Sequence, residues 1–411
     1  MKVPVISRRS FGKLAMGLTS TLLLPGCVLP TCREKIDAPN NSKANPQEHF
    51  WKSYKSAFLK ALPKGTILVV PHYPIAVKGQ TPAEGMGHAL IFAAQREDWG
   101  VFNALVKGLS YFKKANGVLR WRIGIDGTVR PGEEDLNAGS ETEQNVAYAL
   151  LVAYEKTGKN SYRDEALEFL GSMWQEFVIT FQGRSIIMTA DRTDNPYWPL
   201  KIDKNGDQML VWNPSLDSPH KLRKFAKYDQ AHNWNKVVND WYALANRVFD
   251  VATADPKRFG IAGINPMPQW VWLAPQGKNG LEIKPFFPAR DALGSKYSDE
   301  GDTIRIPIYA GMDASHPDGK GRKFLERFYS KIELNGPEDA VVRIQNQPQK
   351  NSMMAIAAYA VGLKAIGRDV AQFEQMLKID KRGFTGDAAG QYYDQTICYY
   401  AYLLLNDKFP Y

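Results

Sequence analysis

The sequence predicts an all-α protein in which an inner ring of buried helices is enclosed by an outer ring of amphipathic ones. Three observations carry this. From residue 47 onward the chain is a succession of helical patterns, about twelve of them, joined by loops of very different lengths. Two patterns, Val146–Tyr154 and Met353–Val361, are apolar on nearly every side, and a helix apolar all round is buried all round. No linker composition follows residue 47, and no period of about 34 or 40 residues supports a superhelical repeat array.

Taken in order, the first element is an export address. Residues 1–26 read as a basic segment, then a short apolar segment, then small residues, too short to cross a membrane and stay there. Arg8-Arg9, with Phe11 and Lys13 after them, has the pattern of a twin-arginine signal, which predicts a periplasmic or envelope location. Leu24-Pro25-Gly26-Cys27 resembles a lipoprotein cleavage box, with Cys27 as the acylated residue. The only membrane contact expected is through that anchor. Residues 27–47 are polar and Pro- and Asn-bearing, a tether. The body, 48–411, is one domain.

Its helices are read at 49–61, 82–96, 100–116, 141–157, 161–178, 218–229, 232–253, 304–314, 319–332, 351–367, 370–379 and 390–406. Thr81 as N-cap, Pro82 at the first position and Glu84 three residues after the cap form a capping box for the second. Phe102, Leu105, Leu109 and Phe112 make one stripe of the third. Ser140 and Glu143 make a second capping box, leading into the buried run at 146. Trp234, Val238, Trp241 and Leu244 make a stripe on the seventh, and Asp302 caps the eighth with Arg305 one turn on. Stretches 180–217 and 262–303 read as long loops with short strands, and loops of that length are usually functional.

Composition narrows the function. The net charge is +9, and four of those charges (Lys2, Arg8, Arg9, Lys13) belong to the export signal, so 9 − 4 = +5 remain. There is no basic stripe of the kind a nucleic-acid groove requires. The three cysteines (Cys27, Cys32, Cys398) form no CxxC, and the six His form no HExxH, so neither a metal nor a cofactor is expected. Asp203-Lys-Asn-Gly-Asp207 lacks the closing Glu of a calcium loop and reads as a turn. Aromatic residues are 12% of the chain, many beside Pro, Gly and Asn, and flat apolar rings in loops stack well on sugars.

Three acids stand out: Glu84, followed by Gly85 and Gly87, which could let a ligand come close; Glu141, left over by the second capping box; and Asp302. Spacing alone leaves each open between a capping role and chemistry. Their order along the chain adds to this. Ala83-Glu84-Gly85-Met86-Gly87, then Gly139-Ser140-Glu141-Thr142-Glu143 leading to Val146-Ala147-Tyr148-Ala149-Leu150, then Asn213-Pro214-Ser215-Leu216, Pro268-Gln269-Trp270, Gly301-Asp302-Thr303-Ile304-Arg305-Ile306-Pro307 and Tyr392-Tyr393-Asp394 together resemble glycoside hydrolase family 8 over roughly residues 50–411. The resemblance implies an (α/α)6 toroid and an inverting endo-hydrolase of a β-1,4-linked polysaccharide, cellulose-like or the cell's own exopolysaccharide. It implies Glu84 as general acid, Asp302 as general base and Glu141 as the residue holding the sugar at the cleavage subsite. Arg305 would keep Asp302 ionised and contact the substrate, and Trp121, Trp198, Trp212 and Trp270 would be stacking platforms. Four departures stand against it: Glu141 for an Asp, Leu216 for a Tyr, Gly301 for a Tyr and Ile308 for a Trp. The alternative is an envelope polysaccharide-binding protein with weakened turnover; a polysaccharide lyase on a similar toroid is a third reading. A monomer is expected.

Overall fold

Among the described residues of the computed structural model there are twelve helices, one for each helical pattern in the sequence. The structure describes residues 45–70, 79–129, 137–191, 200–202, 206, 208–261, 265–277, 280–286, 302–344, 347–349, 352–378 and 392–410, with only the backbone at 200–202, 342–344 and 347–349. The export signal and most of the tether, with Cys27, lie outside them, as do Trp198, Gly301 and most of the 203–207 turn. No helix among the described residues is long and apolar enough to cross a membrane.

The helices are α1 (Pro46–Phe58), α2 (Glu84–Gln95), α3 (Trp99–Gly108), α4 (Ser140–Thr157), α5 (Asn160–Phe177) and α6 (Pro219–Tyr228). They continue with α7 (Trp234–Ala254), α8 (Arg305–Ala314), α9 (Gly321–Tyr329), α10 (Met353–Ala365), α11 (Ala371–Met376) and α12 (Tyr392–Leu405). Packing alternates along the chain. Helices α2, α4, α6, α8, α10 and α12 each touch the next, and α12 returns to α2 through Phe92 against Tyr399 and Tyr400. Outside them, α3, α5, α7, α9 and α11 each lie on the inner helix that precedes them. Helix α1 covers α12, with Phe50 stacked on Tyr399 at 3.8 Å. This is an (α/α)6 toroid.

The difference between rings follows from composition. Every residue of α2 from Glu84 to Ala94 is buried, and so is every residue of α4 from Ser140 to Ala153. Outer helices bury one stripe each, as α3 does with Phe102 and Leu105. Glycine permits the closest approach in the inner ring. A Cβ on Gly87 would lie 2.5 Å from Asn145 Cβ, and one on Gly85 would lie 2.9 Å from Val69. These glycines serve helix packing, not ligand access.

Both capping boxes are absent. Thr81 and Pro82 lie in strand β3 (Gln80–Pro82), where Thr81 Oγ1 donates to the Val69 carbonyl; α2 starts at Glu84, with Ala83 at its N-cap. Gly139 occupies the N-cap of α4, and Ser140 is its first residue. Ile304, not Asp302, is the N-cap of α8. The first helix also ends sooner than its apolar spacing predicts, because Leu59–Leu62 (β1) pairs with Thr66–Val69 (β2). Helix α3 stops at Gly108, whose missing side chain makes room for the Ile67 carbonyl.

Short strands position the loops around the ring. Strand β4 (Arg122–Gly124) pairs with β3, bringing Trp121 beside the start of α2. The hairpin β5 (Val178–Phe181) and β6 (Arg184–Ile187) follows α5. A four-stranded antiparallel sheet runs β10 (Gly280–Pro285), β9 (Val271–Gln276), β8 (Gln208–Trp212), β7 (Leu200–Ile202). Trp212 pairs with Val271, so Asn213–Ser215 and Gln269 emerge at the same end. Val342–Ile344 (β11) and Gln347–Gln349 (β12) form the last hairpin.

Two buried acids give the body a pH dependence. Glu143 accepts from the Leu119 amide at 2.7 Å, and its second oxygen has no hydrogen-bond partner among the described residues. Burial pushes its pKa up to about 8 against that hydrogen bond. Burial pushes Asp217 up to about 8 as well, against hydrogen bonds from Gln144 and Trp212. Unfolded carboxyls titrate near 4. Between pH 4 and 8 the folded state therefore holds more protons, and stability falls as pH rises through that window. The midpoint of thermal unfolding is expected to drop from pH 5 to pH 8, and Glu143→Gln, neutral throughout, should flatten the drop. A variant as pH-sensitive as the parent would clear Glu143 of the effect.

Candidate active site

Arg305 organises the site. It is the first residue of α8, and its side chain points into the ring with 3% exposure. Nη1 contacts Glu141 Oε2 and lies 3.6 Å from Glu84 Oε1. Nη2 lies 3.3 Å from Asp302 Oδ1 and donates to Ser215 Oγ at 3.4 Å. One guanidinium thus gathers the three acids singled out in the sequence, from α2, α4 and the turn before α8.

The three carboxylates sit in different surroundings. Glu84, first in α2, has a side chain 11% exposed. Burial pushes its pKa up to about 6; Arg305 opposes the shift and Asp302 adds to it. Glu141 is also raised by burial, against Arg305 and with Glu84 adding. Both its oxygens are engaged, Oε2 by Arg305 and Oε1 by the Tyr309 hydroxyl, which donates at 2.7 Å. Asp302 is the open one, its side chain 32% exposed. It accepts from Gln269 Nε2 at 2.5 Å on the oxygen that Arg305 does not face. The local ion pair expected between Asp302 and Arg305 is therefore present, but Arg305 serves Glu141 and Glu84 as well. Buried as it is, Arg305 is the charge at the centre of the site rather than an open contact for substrate.

Around these lie polar groups that sequence reasoning missed. His88, one turn after Glu84 on α2, places Nε2 3.6 Å from Glu84 Oε1 and pairs through Nδ1 with the Tyr400 hydroxyl at 2.9 Å. Burial drives its pKa down to about 3, so it is neutral. Lys221 of α6 is buried, donates to Asn145 Oδ1 and lies 4.7 Å from the centre of the Tyr309 ring. Tyr393 faces Arg305 at 5.9 Å. The i,i+4 spacings Glu84–His88 and Arg305–Tyr309 were legible as same-face pairs; Gln269 and Ser215 come from loops and carried no such mark. Glu84, His88 and Glu141 offer atoms close enough together to hold a cation. Arg305 supplies the positive charge between the two carboxylates.

The tryptophans divide. Trp121 is half-buried beside the acids: its carbonyl accepts from Ala83, next to Glu84, at 2.9 Å, and its ring lies over Gly139, where a Cβ would meet it at 3.0 Å. Trp270 is half-buried next to Gln269, with Phe286 edge-on at 6.4 Å. Trp212 is not a platform. It is 1% exposed in the core and bonds Asp217, because β8 is paired on both sides by β7 and β9. Leu216 is half-buried on the loop into α6 and Ile308 is buried in α8.

Comparisons with known proteins agree with this fold. The family described as "Glycosyl hydrolases family 8" matches residues 37–404. Endoglucanase C of Ruminiclostridium cellulolyticum is 25% identical over 170 residues, 41% of this chain and 34% of that protein, so the match spans about a third of that relative's length. An endoglucanase of Xanthomonas axonopodis pv. citri is 24% identical over 350 residues, 80% of this chain and 79% of that one. Among solved structures, the endo-β-1,4-glucanase from Acetobacter xylinum superposes with a TM-score of 0.60 at 18% identity, covering 89% of this chain and 99% of that chain.

Proposed function

Because the chain belongs to glycosyl hydrolases family 8, we propose that it is an inverting, endo-acting hydrolase of a β-1,4-linked polysaccharide, a cellulose-like glucan or the exopolysaccharide of the cell that makes it. The observation that carries the proposal is the unequal pair on one guanidinium. Glu84 is buried with its pKa pushed up to about 6, while Asp302, its side chain 32% exposed, is held by Arg305 and Gln269.

Glu84, protonated, donates to the departing glycosidic oxygen. Asp302 takes a proton from the water attacking the opposite face of the sugar. An inverting pair leaves room for that water, with carboxyl groups about 6.5–9.5 Å apart. Trp121, which lies beside both Ala83 and Gly139, stacks on the ring at the cleavage point in this reading, and Trp270 on a neighbouring sugar. No step calls for a cofactor. The amino-terminal pattern supports export by the twin-arginine route and anchoring through an acylated Cys27, tested by labelling with a palmitate analogue in cells carrying Cys27→Ala as control.

Reducing-end release from β-glucans, xylan, chitosan and extracted exopolysaccharide tests the activity, and proton NMR of the first-formed product tests the stereochemistry. Release with an α-anomer first supports the proposal; a β-anomer first would overturn inversion. A second reading is favoured by Glu141, whose two oxygens are both committed to protein partners rather than left for a sugar. On that reading the cleft binds polysaccharide without turnover, and the same panel would show retention of a polymer with no new ends.

A further inference from the structure

Glu84 has two carboxyl oxygens, and the groups around it are arranged on one of them. His88 Nε2 and Arg305 Nη1 both lie 3.6 Å from Oε1. Arg305 can only donate. Which face His88 presents depends on its tautomer, and Tyr400 decides that. The Tyr400 hydroxyl is buried against His88 Nδ1 at 2.9 Å. A phenol is a stronger donor than a neutral imidazole, so Tyr400 donates to Nδ1, and the ring proton resides on Nε2, facing Glu84. His88 Nε2 has no hydrogen-bond partner among the described residues and is fully enclosed, so its proton has the carboxylate as its nearest acceptor.

From this arrangement we infer that His88, fixed as the Nε2–H tautomer by Tyr400, is a positioning residue for Glu84. With Arg305 it turns two donors toward Oε1, so the acid's proton resides on Oε2 and the carboxylate left after proton donation is stabilised on Oε1. The proton count is simple: Glu84 Oε2–H goes to the leaving oxygen, Glu84 becomes the carboxylate, and His88 and Tyr400 keep their own protons. The neutral state of the ring fits, since burial has driven its pKa down to about 3 and only a neutral ring can both accept from Tyr400 and donate to Glu84.

The charged and titratable groups around this pair come from several elements. Glu84 feels Arg305 and Asp302. His88 feels Glu141 from α4, Lys221 from α6 and Arg305 from α8. Tyr54 of α1 and Tyr393 and Tyr400 of α12 each feel Glu84. Of all these, His88 is the neutral ring whose nitrogen lies 3.6 Å from Oε1. Removing it withdraws stabilisation from the ionised form alone, and the Glu84 pKa rises.

The inference rests on Glu84 being the acid, so its test has a readout independent of turnover. Carbon-13 NMR of glutamate-labelled protein, with Glu84→Gln to assign the resonance, follows the Glu84 titration in the parent, His88→Phe, His88→Gln and Tyr400→Phe. His88→Phe is expected to raise the Glu84 midpoint by about one pH unit, and His88→Gln, whose amide can reach Oε1, to restore most of it. Tyr400→Phe frees the tautomer and should move it part of the way. On a hydrolysed polymer, the basic limb of kcat should follow the same order, with kcat down about tenfold in His88→Phe and KM unchanged. An unmoved Glu84 midpoint in folded His88→Phe and Tyr400→Phe overturns the inference. If no polymer is hydrolysed by the parent, the proposed function fails while the titration still decides the role of His88.

Discussion

Glu84→Gln is expected to lower kcat on a polysaccharide by roughly 10²–10⁴-fold, the usual contribution of a positioned general acid. The replacement is close in shape and keeps an oxygen toward Arg305 and His88, which lie 3.6 Å from Glu84 Oε1, so the toroid should fold and bind as before. KM should change little, because the lost interaction belongs to the transition state. The leaving group gives a sharper check. An aryl glycoside whose phenol leaves without protonation needs no acid, so the variant should lose far less on it than on the polymer. Equal losses on both would mean that Glu84 acts some other way. The parent's basic limb should fall near pH 6, where Glu84 gives up its proton.

Arg305→Met is expected to cost stability as well as activity. Arg305 sits 2% exposed among three carboxylates, and removing one partner from a buried ion pair typically costs about 3–5 kcal/mol. Without it, Glu84 and Glu141 face each other uncompensated, and their pKa values rise further above the unfolded range. The folded state then keeps protons the unfolded state has released, so the deficit grows as pH rises. Urea unfolding should show a larger loss at pH 8 than at pH 5. A loss below about 1 kcal/mol at both would mean the guanidinium is not the neutralising charge described above. Activity should fall with it, since Asp302 loses its hold and Glu84 its contrast with Asp302.

The ring was legible because two of its inner helices carry runs apolar on nearly all sides, the pattern of a helix buried all round. Val146–Tyr154 and Met353–Val361 lie in α4 and α10, as their composition requires. Helix starts were less legible. Thr81, Pro82 and Glu84 have the spacing of a capping box, but β4 pairs Thr81 and Pro82 into a strand and the Thr81 hydroxyl donates to Val69 of β2, so tertiary pairing overrides the local signal. The three acids were legible through their order along the chain. Their shared partner was read only locally: Arg305 is one turn from Asp302 in sequence, but 164 residues from Glu141. Trp212 could not be told from Trp121 by sequence, since both adjoin short strands. What separates them is that β8 lies inside a sheet, while β4 pairs only with β3 beside the start of α2.

The closure of the ring has a consequence for the chain as it is made. Helix α1 holds its place through Phe50 on Tyr399, and Tyr54 meets Tyr392, a contact spanning 338 residues. Closing so long a loop is entropically costly and comes late. A nascent chain lacking α12 has five inner helices and an open seam, with the aromatic face of α1 uncovered. It also lacks Tyr393 and Tyr400, so Glu84, His88 and Arg305 remain an unfinished cluster. Folding and assembly of the site are thus a single late event, and a chain released early carries an exposed apolar seam that invites pairing with another copy of itself.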